Sequence, residues 1–425
     1  MRIPELLAPA GDPEKLRVAF TYGADAVYGG VSHFSLRHRS GKEFDMESFA
    51  QGIDYAHRLG KKVYATVNGF PFNNQLELVK EHLAQMAQLG PDAFIVSTPG
   101  VIRLAKEVAP HIPLHLSTQA NVLNWMDAAV WADMGVTRII AAREVSLSDL
   151  EGIKTHLPQM ELEIFIHGSM CFAYSGRCLI SSLQTGRVAN RGSCANDCRY
   201  PYELYVKNAD TDVLMRLEEY PDEGTYIFNA ADLNLASHLK EITDSGIVDS
   251  LKIEGRTKSP YYVGLTTRTY RQALNDLARG NFYPDIYQQE LATTKHRGFT
   301  DGYLVRRPFE KAGTQTLESS ISEGTMQVHA IVTEDGAHFM CKERIDVDTP
   351  YEILPPLETL LTPVQNEIGT IYESKGRYYL RLLKIETATG KRLGEVHSGN
   401  ENPIALPVNL PPFTFLRRQI SLKEY

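Results

Sequence analysis

No run of this chain is long and apolar enough to span a membrane, and the N-terminus MRIPELLAPAGDPEK lacks an apolar stretch behind a basic start. These absences argue against a membrane span and a secretory leader, and predict a cytoplasmic protein without a membrane partner. Basic residues do not dominate either. Lys and Arg number 44 against 52 Asp and Glu, a formal charge of -8, which excludes a protein that coats nucleic acid nonspecifically but leaves room for a local basic surface. The chain has no G-x-G-x-x-G or Walker A sequence, no His followed by Glu, and no G-x-S-x-G elbow. A dinucleotide fingerprint, a zinc-protease helix and a hydrolase nucleophile turn are therefore all missing.

Cysteine is scarce as well, with five in 425 residues, yet four of them, Cys171, Cys178, Cys194 and Cys198, fall in the one segment HGSMCFAYSGRCLISSLQTGRVANRGSCANDC. In a reducing compartment, thiols gathered this way point to a metal or cluster site rather than a disulfide framework. Their C-x6-C-x15-C-x3-C spacing differs from the paired C-x2-C of ribbons and fingers, which weakens a structural zinc reading. Four soft sulfurs suit either zinc or a 4Fe-4S cluster. Cys341 stands alone downstream and reads as a packing residue.

What is abundant is alternation. Short apolar runs at residues 4–10, 24–28, 62–68, 93–97, 113–119, 137–143, 161–167 and 250–256 predict eight strands. Stretches of helical spacing at 46–59, 75–89, 125–134, 147–157, 235–244 and 260–279 lie between or after them. This order predicts an α/β fold, a (β/α)8 TIM-like barrel over residues 1–305. About 80 residues separate the last two strands, so the cysteines (insertion about 168–235) enter at the C-terminal rim, where barrel enzymes build their sites. Residues 200–206 and 225–228 read as short strands within it. A linker at 306–320 leads to a small antiparallel β domain, barrel-like, over 321–425.

The strands carry polar residues on one face: Tyr64, Thr66 and Asn68; His115, Ser117 and Gln119; Glu161, Glu163, Phe165 and His167; Lys252, Glu254 and Arg256. Helices cover the outside, so these sets point inward, and they predict either a ligand site reaching down the axis or satisfied buried polar pairs. A cluster above a polar cavity favours iron and sulfide over zinc. His167 and Glu254, at the inward C-terminal ends of their strands, are the candidates for proton transfer.

The segment Glu163–Cys171 with Tyr174-Ser175-Gly176-Arg177-Cys178, the opening PELLAPAG, Tyr22–Tyr28, Ser250–Lys258 and His296-Arg297-Gly298-Phe299 together resemble the collagenase-like peptidase family U32 over roughly residues 3–305. The similarity is to its tRNA-hydroxylating members. It implies formation of 5-hydroxyuridine at the wobble position, with prephenate rather than molecular oxygen as co-substrate and with supply from the iron-sulfur assembly machinery. It also implies the four cysteines as cluster ligands. A tRNA anticodon region would meet cations at Arg177 and its neighbours, and a dicarboxylate such as prephenate calls for guanidinium or paired cations. Arg256 and Lys252 are the candidates, with Arg143 behind them and Gln119 on the adjacent inward face. The competing readings are a peptidase, which the family's name invites, and a noncatalytic RNA-binding protein with structural zinc.

Overall fold

The structure is a computed structural model that describes residues 2–31, 43–187, 189, 194–207, 210–212, 214–217, 230–307, 313–315 and 324–420. The expected strand at 225–228 lies outside the described residues. Eight parallel strands close into a barrel. They are β1 (Glu5–Pro9), β2 (Ala26–Gly29), β3 (Lys62–Val67), β4 (Ala93–Val96), β5 (Leu114–Leu116), β6 (Arg138–Ile140) and β7 (Glu161–Ser169), followed, after an interval that holds β8 (Leu204–Lys207), β9 (Leu214–Leu217) and β10 (Asp232–Asn234), by β11 (Ser250–Ile253). Each of β1 to β6 pairs with the next, and β11 pairs with both β7 and β1, which completes the ring. The predicted barrel order is therefore the observed one.

Helices α1 (Pro13–Thr21), α2 (Met46–Arg58), α3 (Leu76–Gln88), α4 (Pro99–Val108), α5 (Trp125–Asp133) and α6 (Leu147–His156) link the successive strands. Their starts are written locally. Asp12 accepts from the Lys15 amide with Pro13 in the first turn, and Asp45 and Ser48 form a reciprocal capping box. In the interval after β7, α7 (Ile180–Thr185) and α8 (Leu239–Ser245) precede β11, and α9 (Pro260–Ala278) packs against α1 outside the wall. After α10 (Pro284–Leu291), the two-residue strand β12 (Phe299–Thr300) joins β10. No helix among the described residues is long and apolar enough to cross a membrane.

Strand β7 departs from simple alternation. Ser250, Leu251 and Lys252 face Glu163, Ile164 and Phe165, but Ile253 faces His167, so Ile166 is an extra residue. Such a bulge reverses the inside and outside positions beyond it. Past that point β7 leaves the wall and pairs antiparallel with β10, through His167↔Asn234 and Ser169↔Asp232. The insertion thus grows directly from a barrel strand.

The C-terminal part folds as a separate antiparallel β domain around an eight-stranded sheet with its own core of Phe339, Tyr351, Leu380 and Leu416. Polar contacts fasten it to the barrel. Tyr22, at the C-terminal cap of α1, donates to the carbonyls of Leu354 and Phe413 at 2.8 and 3.1 Å, and its ring stacks on Phe415. Arg417, 1% exposed, bridges Glu290 of α10 at 2.6 Å and Glu352 at 2.7 Å. Removing one partner of a buried pair leaves uncompensated charge. Arg417→Ala is therefore expected to lower unfolding free energy by about 3–5 kcal/mol. Urea unfolding measures it, and an unchanged midpoint would show that this bridge does not hold the domains together.

Candidate active site

The barrel interior is ionic from its floor upward. Arg138, at the start of β6, binds Glu5 at 2.7 Å, Glu161 at 2.8 Å and Glu163 at 3.3 Å, and Tyr64 donates to Glu5 at 2.7 Å. One layer higher, Lys252 binds the other oxygen of Glu163 at 2.7 Å and lies over the Tyr28 ring. Here the structure corrects an expectation. Lys252 is not a rim cation beside Arg256 but a buried partner of Glu163, because its position in β11 is two residues below Glu254 and its ammonium needs a counter-charge there. In the lower barrel Glu5, Glu161, Glu163, Arg138 and Lys252 are satisfied ion pairs, whereas Nδ1 of His115, packed against Tyr64, is buried without a hydrogen-bond partner among the described residues.

At the rim, four inward side chains meet. The Arg143 guanidinium stacks over the Phe165 ring at 4.1 Å and stands 4.0 Å from the Glu254 carboxylate. Tyr28 donates to the Ile253 carbonyl at 2.9 Å and lies 3.3 Å from Glu254. Arg256 donates to the Thr66 hydroxyl at 2.9 Å. Its carbonyl accepts from Lys15 at 3.1 Å, and a Cβ at Gly11 would sit 2.1 Å from that oxygen. Only glycine lets the β1–α1 turn close on the residue that presents Arg256. Arg143 beside the Glu254 carboxylate, and Arg256 6.0 Å from the centre of the Tyr28 ring whose hydroxyl approaches the same acid, can receive a carboxylate-bearing ligand.

His167 lies elsewhere. The bulge turns it to the outer side with Ile253, and its ring packs among Tyr262 and Tyr270 of α9 and Phe299, with Tyr270 Oη 3.4 Å from Nδ1. Burial lowers its pKa to about 3, so the ring is neutral at physiological pH. Strict alternation, which had placed it inward, does not survive an extra residue. Its position is that of a packing residue of the wall.

The cysteine loop is tied to the rim. The Ser175 amide donates to Glu144 Oε1 at 2.9 Å and the Ser175 hydroxyl to Oε2 at 3.1 Å, while the Thr118 hydroxyl and the Arg143 amide approach that hydroxyl at 3.4 Å. Gly176 has φ +72°, and a Cβ there would meet the Gln119 carbonyl at 2.3 Å. Gln119 lies beneath the loop, with its side-chain oxygen accepting from Ser97 at 3.1 Å. Arg177 extends outward and is exposed. Glu144 and Ser175 were not singled out from sequence. Neither belongs to a periodic element, and the only hint is an acid directly after the arginine that follows β6.

Cys171 follows β7, Cys178 precedes α7, and Cys194 and Cys198 lie around the short turn Asp197–Arg199 that packs on α7. Cys171 is exposed and the other three are half-buried. Their thiols act on one another electrostatically: Cys178 on Cys171 and Cys194, and Cys198 on all three. Burial raises the Cys178 thiol and pushes Cys198 up to about 11, so the donor set asks for a cation to hold it ionised. Among the described residues no group of three His, Cys, Asp or Glu is close enough to hold a single ion. The chemistry of the donor set, four soft thiols on one segment, suits an iron-sulfur cluster, and Cys171, Cys178, Cys194 and Cys198 are the residues that would hold one.

Two outcomes test this geometry. The folded pKa of His167 lies below the ordinary value near 6.5, so the stability its neutral ring contributes is complete above about pH 6.5 and is lost as pH falls toward 3, on the order of 2 kcal/mol by pH 5. Urea midpoints at pH 7 and 5 should differ less in His167→Gln than in the wild type; equal differences would contradict the burial. Glu144→Ala should release the loop, seen as faster amide exchange at residues 174–177 with barrel strands unchanged.

The sequence profile described as Peptidase family U32 matches residues 11–314. The chain is 60% identical to "tRNA hydroxylation protein P" of Helicobacter pylori strain J99, covering 98% of this chain and 99% of the relative. It is 39% identical to the Escherichia coli protein of the same description, over 83% of this chain and 86% of that protein. A third relative, the "23S rRNA 5-hydroxycytidine C2501 synthase" of Escherichia coli, is 36% identical over 71% of this chain and 45% of its own length. A match that runs from the first barrel turn past β12, together with relatives of this identity and coverage, means that the chain belongs to peptidase family U32.

Proposed function

We propose that this protein hydroxylates a tRNA base, converting the wobble uridine to 5-hydroxyuridine with prephenate as co-substrate and without molecular oxygen. The observation that carries the reading is the fastening of a four-cysteine loop, through Ser175 and Glu144, above a rim where Arg143 stands beside Glu254 and Arg256 reaches Thr66. The relatives support its direction, since two are described as tRNA hydroxylation proteins and a third as an rRNA hydroxycytidine synthase. Placing a hydroxyl on uridine C5 replaces C5–H by C5–OH, a two-electron oxidation of the base, so in this reading prephenate supplies the oxygen and takes up the two electrons. A 4Fe-4S cluster, when bound, supplies electron transfer or a Lewis-acidic iron next to the rim.

The chain's own residues do the rest. Arg143 and Arg256 bind the two carboxylates of prephenate, with Phe165 holding the Arg143 plane in place. Glu254, beside Arg143 and the Tyr28 hydroxyl, holds or moves a proton at its carboxylate. Lys252 acts at one remove by neutralising Glu163, and His167 by packing the wall. A peptidase reading lacks a nucleophile in position: Cys341 is buried in the β domain, hydrogen-bonded to the Glu343 carbonyl, and His167 faces α9.

Three measurements test this. In cells lacking the gene, mass spectrometry of tRNA nucleosides should find 5-hydroxyuridine lost, restored by the wild type and not by Cys178→Ala; unchanged levels would reject the assignment. Anaerobically purified protein should carry iron and sulfide in near-equal amounts, whereas stoichiometric zinc without iron would sink the cluster. Arg143→Lys and Arg256→Lys should each raise the prephenate concentration needed for half-maximal modification by about tenfold or more, because an ammonium cannot reproduce a bidentate fork.

A further inference from the structure

The cysteine loop has a surface that the chemistry at the rim does not use. Leu183 is 81% exposed and Leu179 65%, and Phe172 and Tyr174 of the same loop are also among the exposed large side chains. Water-facing apolar side chains gathered on one short segment mark a surface that something covers. The charge of the segment itself has one sign. Residues 168–196 contain Arg177, Arg187 and Arg191 and no Asp or Glu, in a chain with 52 acids. The next acid, Asp197, is 1% exposed. Arg177 and Arg187 are exposed, and neither has an ion-pair partner among the described residues.

We propose that this face is the docking surface for the unpaired loop of an RNA substrate, with phosphates at Arg177 and Arg187 and bases laid against Tyr174, Leu179 and Leu183. The proposal rests on the tRNA reading and specifies which part of the RNA is recognised. Cations without anions favour a polyanion over a protein partner of mixed charge. Flat apolar contacts favour unstacked bases over a duplex, which hides its base faces and presents phosphates and grooves. Placement agrees. Ser175, between Tyr174 and Arg177, is the residue fastened to Glu144, so a loop held on this face lies over the rim into which a base must turn.

The test uses the full-length protein and two labelled RNAs, a stem carrying an anticodon-sized loop and the same stem fully paired, followed by fluorescence anisotropy at several salt concentrations. The wild type should prefer the hairpin. Leu179→Ser with Leu183→Ser should weaken the hairpin by about tenfold and leave the duplex unchanged, since stacking acts only on exposed base faces. Arg177→Glu with Arg187→Glu should weaken both RNAs and flatten the salt dependence. Urea midpoints equal to the wild type establish that the variants fold. Hairpin affinity unchanged in both variants would overturn the surface while nucleoside analysis could still uphold the tRNA reading. Unchanged RNA affinity combined with reduced iron content on purification would instead make this face a dock for a cluster-delivering protein, which also overturns the proposal. An equal preference of the wild type for hairpin and duplex would refute recognition of unpaired bases.

Discussion

Glu163 is completely buried and holds two cations at once, Arg138 below and Lys252 above. A barrel of this kind is ordinarily filled by branched apolar side chains, which would pack without regard to charge. Here one carboxylate sets the positions of groups on β6, β7 and β11, and through Arg138 it reaches Glu5 on β1 and Glu161. Buried charge of this sort tolerates little displacement, because any partner that moves leaves another uncompensated. The interior therefore behaves as a fixed frame, and the rim inherits its geometry. Tyr28 lies over Lys252 and touches Glu254, and Phe165, in the layer above Glu163, carries Arg143.

The frame also separates two kinds of basic residue that look alike in a sequence. Lys252 and Arg256 are four residues apart, the first within β11 and the second in the turn that follows it, yet the first neutralises a buried carboxylate and the second reaches Thr66 at the rim. Depth along the strand decides which cation is structural and which can meet a ligand. Arg177 and Arg187 form a third class, outside the barrel and facing water. This layering gives an acidic protein a local stretch without acids, residues 168–196, whose arginines at 177 and 187 face water.

The barrel was legible because its strands and helices repeat with a regular period, and the eight runs read from residues 4–256 correspond to the eight wall strands. The cysteine cluster was legible because four of five thiols in one segment is a compositional fact. His167 was misplaced for a physical reason: alternation assumes one residue per register step, and β7 holds an extra one at Ile166. Nothing in the run EIFIHGS betrays it, since the bulge is set by where β10 and β11 meet the strand. Glu144 and Ser175 were missed because a side chain reaching across loops has no period to reveal it. The ionic pairing of Lys252 with Glu163 was one of two outcomes that an inward polar face allows, and only the packed geometry distinguishes them.

The clamp at Ser175 has a further consequence. Its backbone amide and hydroxyl are both held by a single carboxylate of the barrel, with Cys171 and Cys178 on either side of it in the chain. The course of that loop is thus dictated by the scaffold rather than by whatever the sulfurs bind. Under the proposed cluster assignment, a protein stripped of its cluster would keep the loop's central turn in place, with both thiols hinged to a fixed point. Loss of the cargo and collapse of the surface around it become separate events, which is a useful property where oxidants can destroy one without unfolding the other.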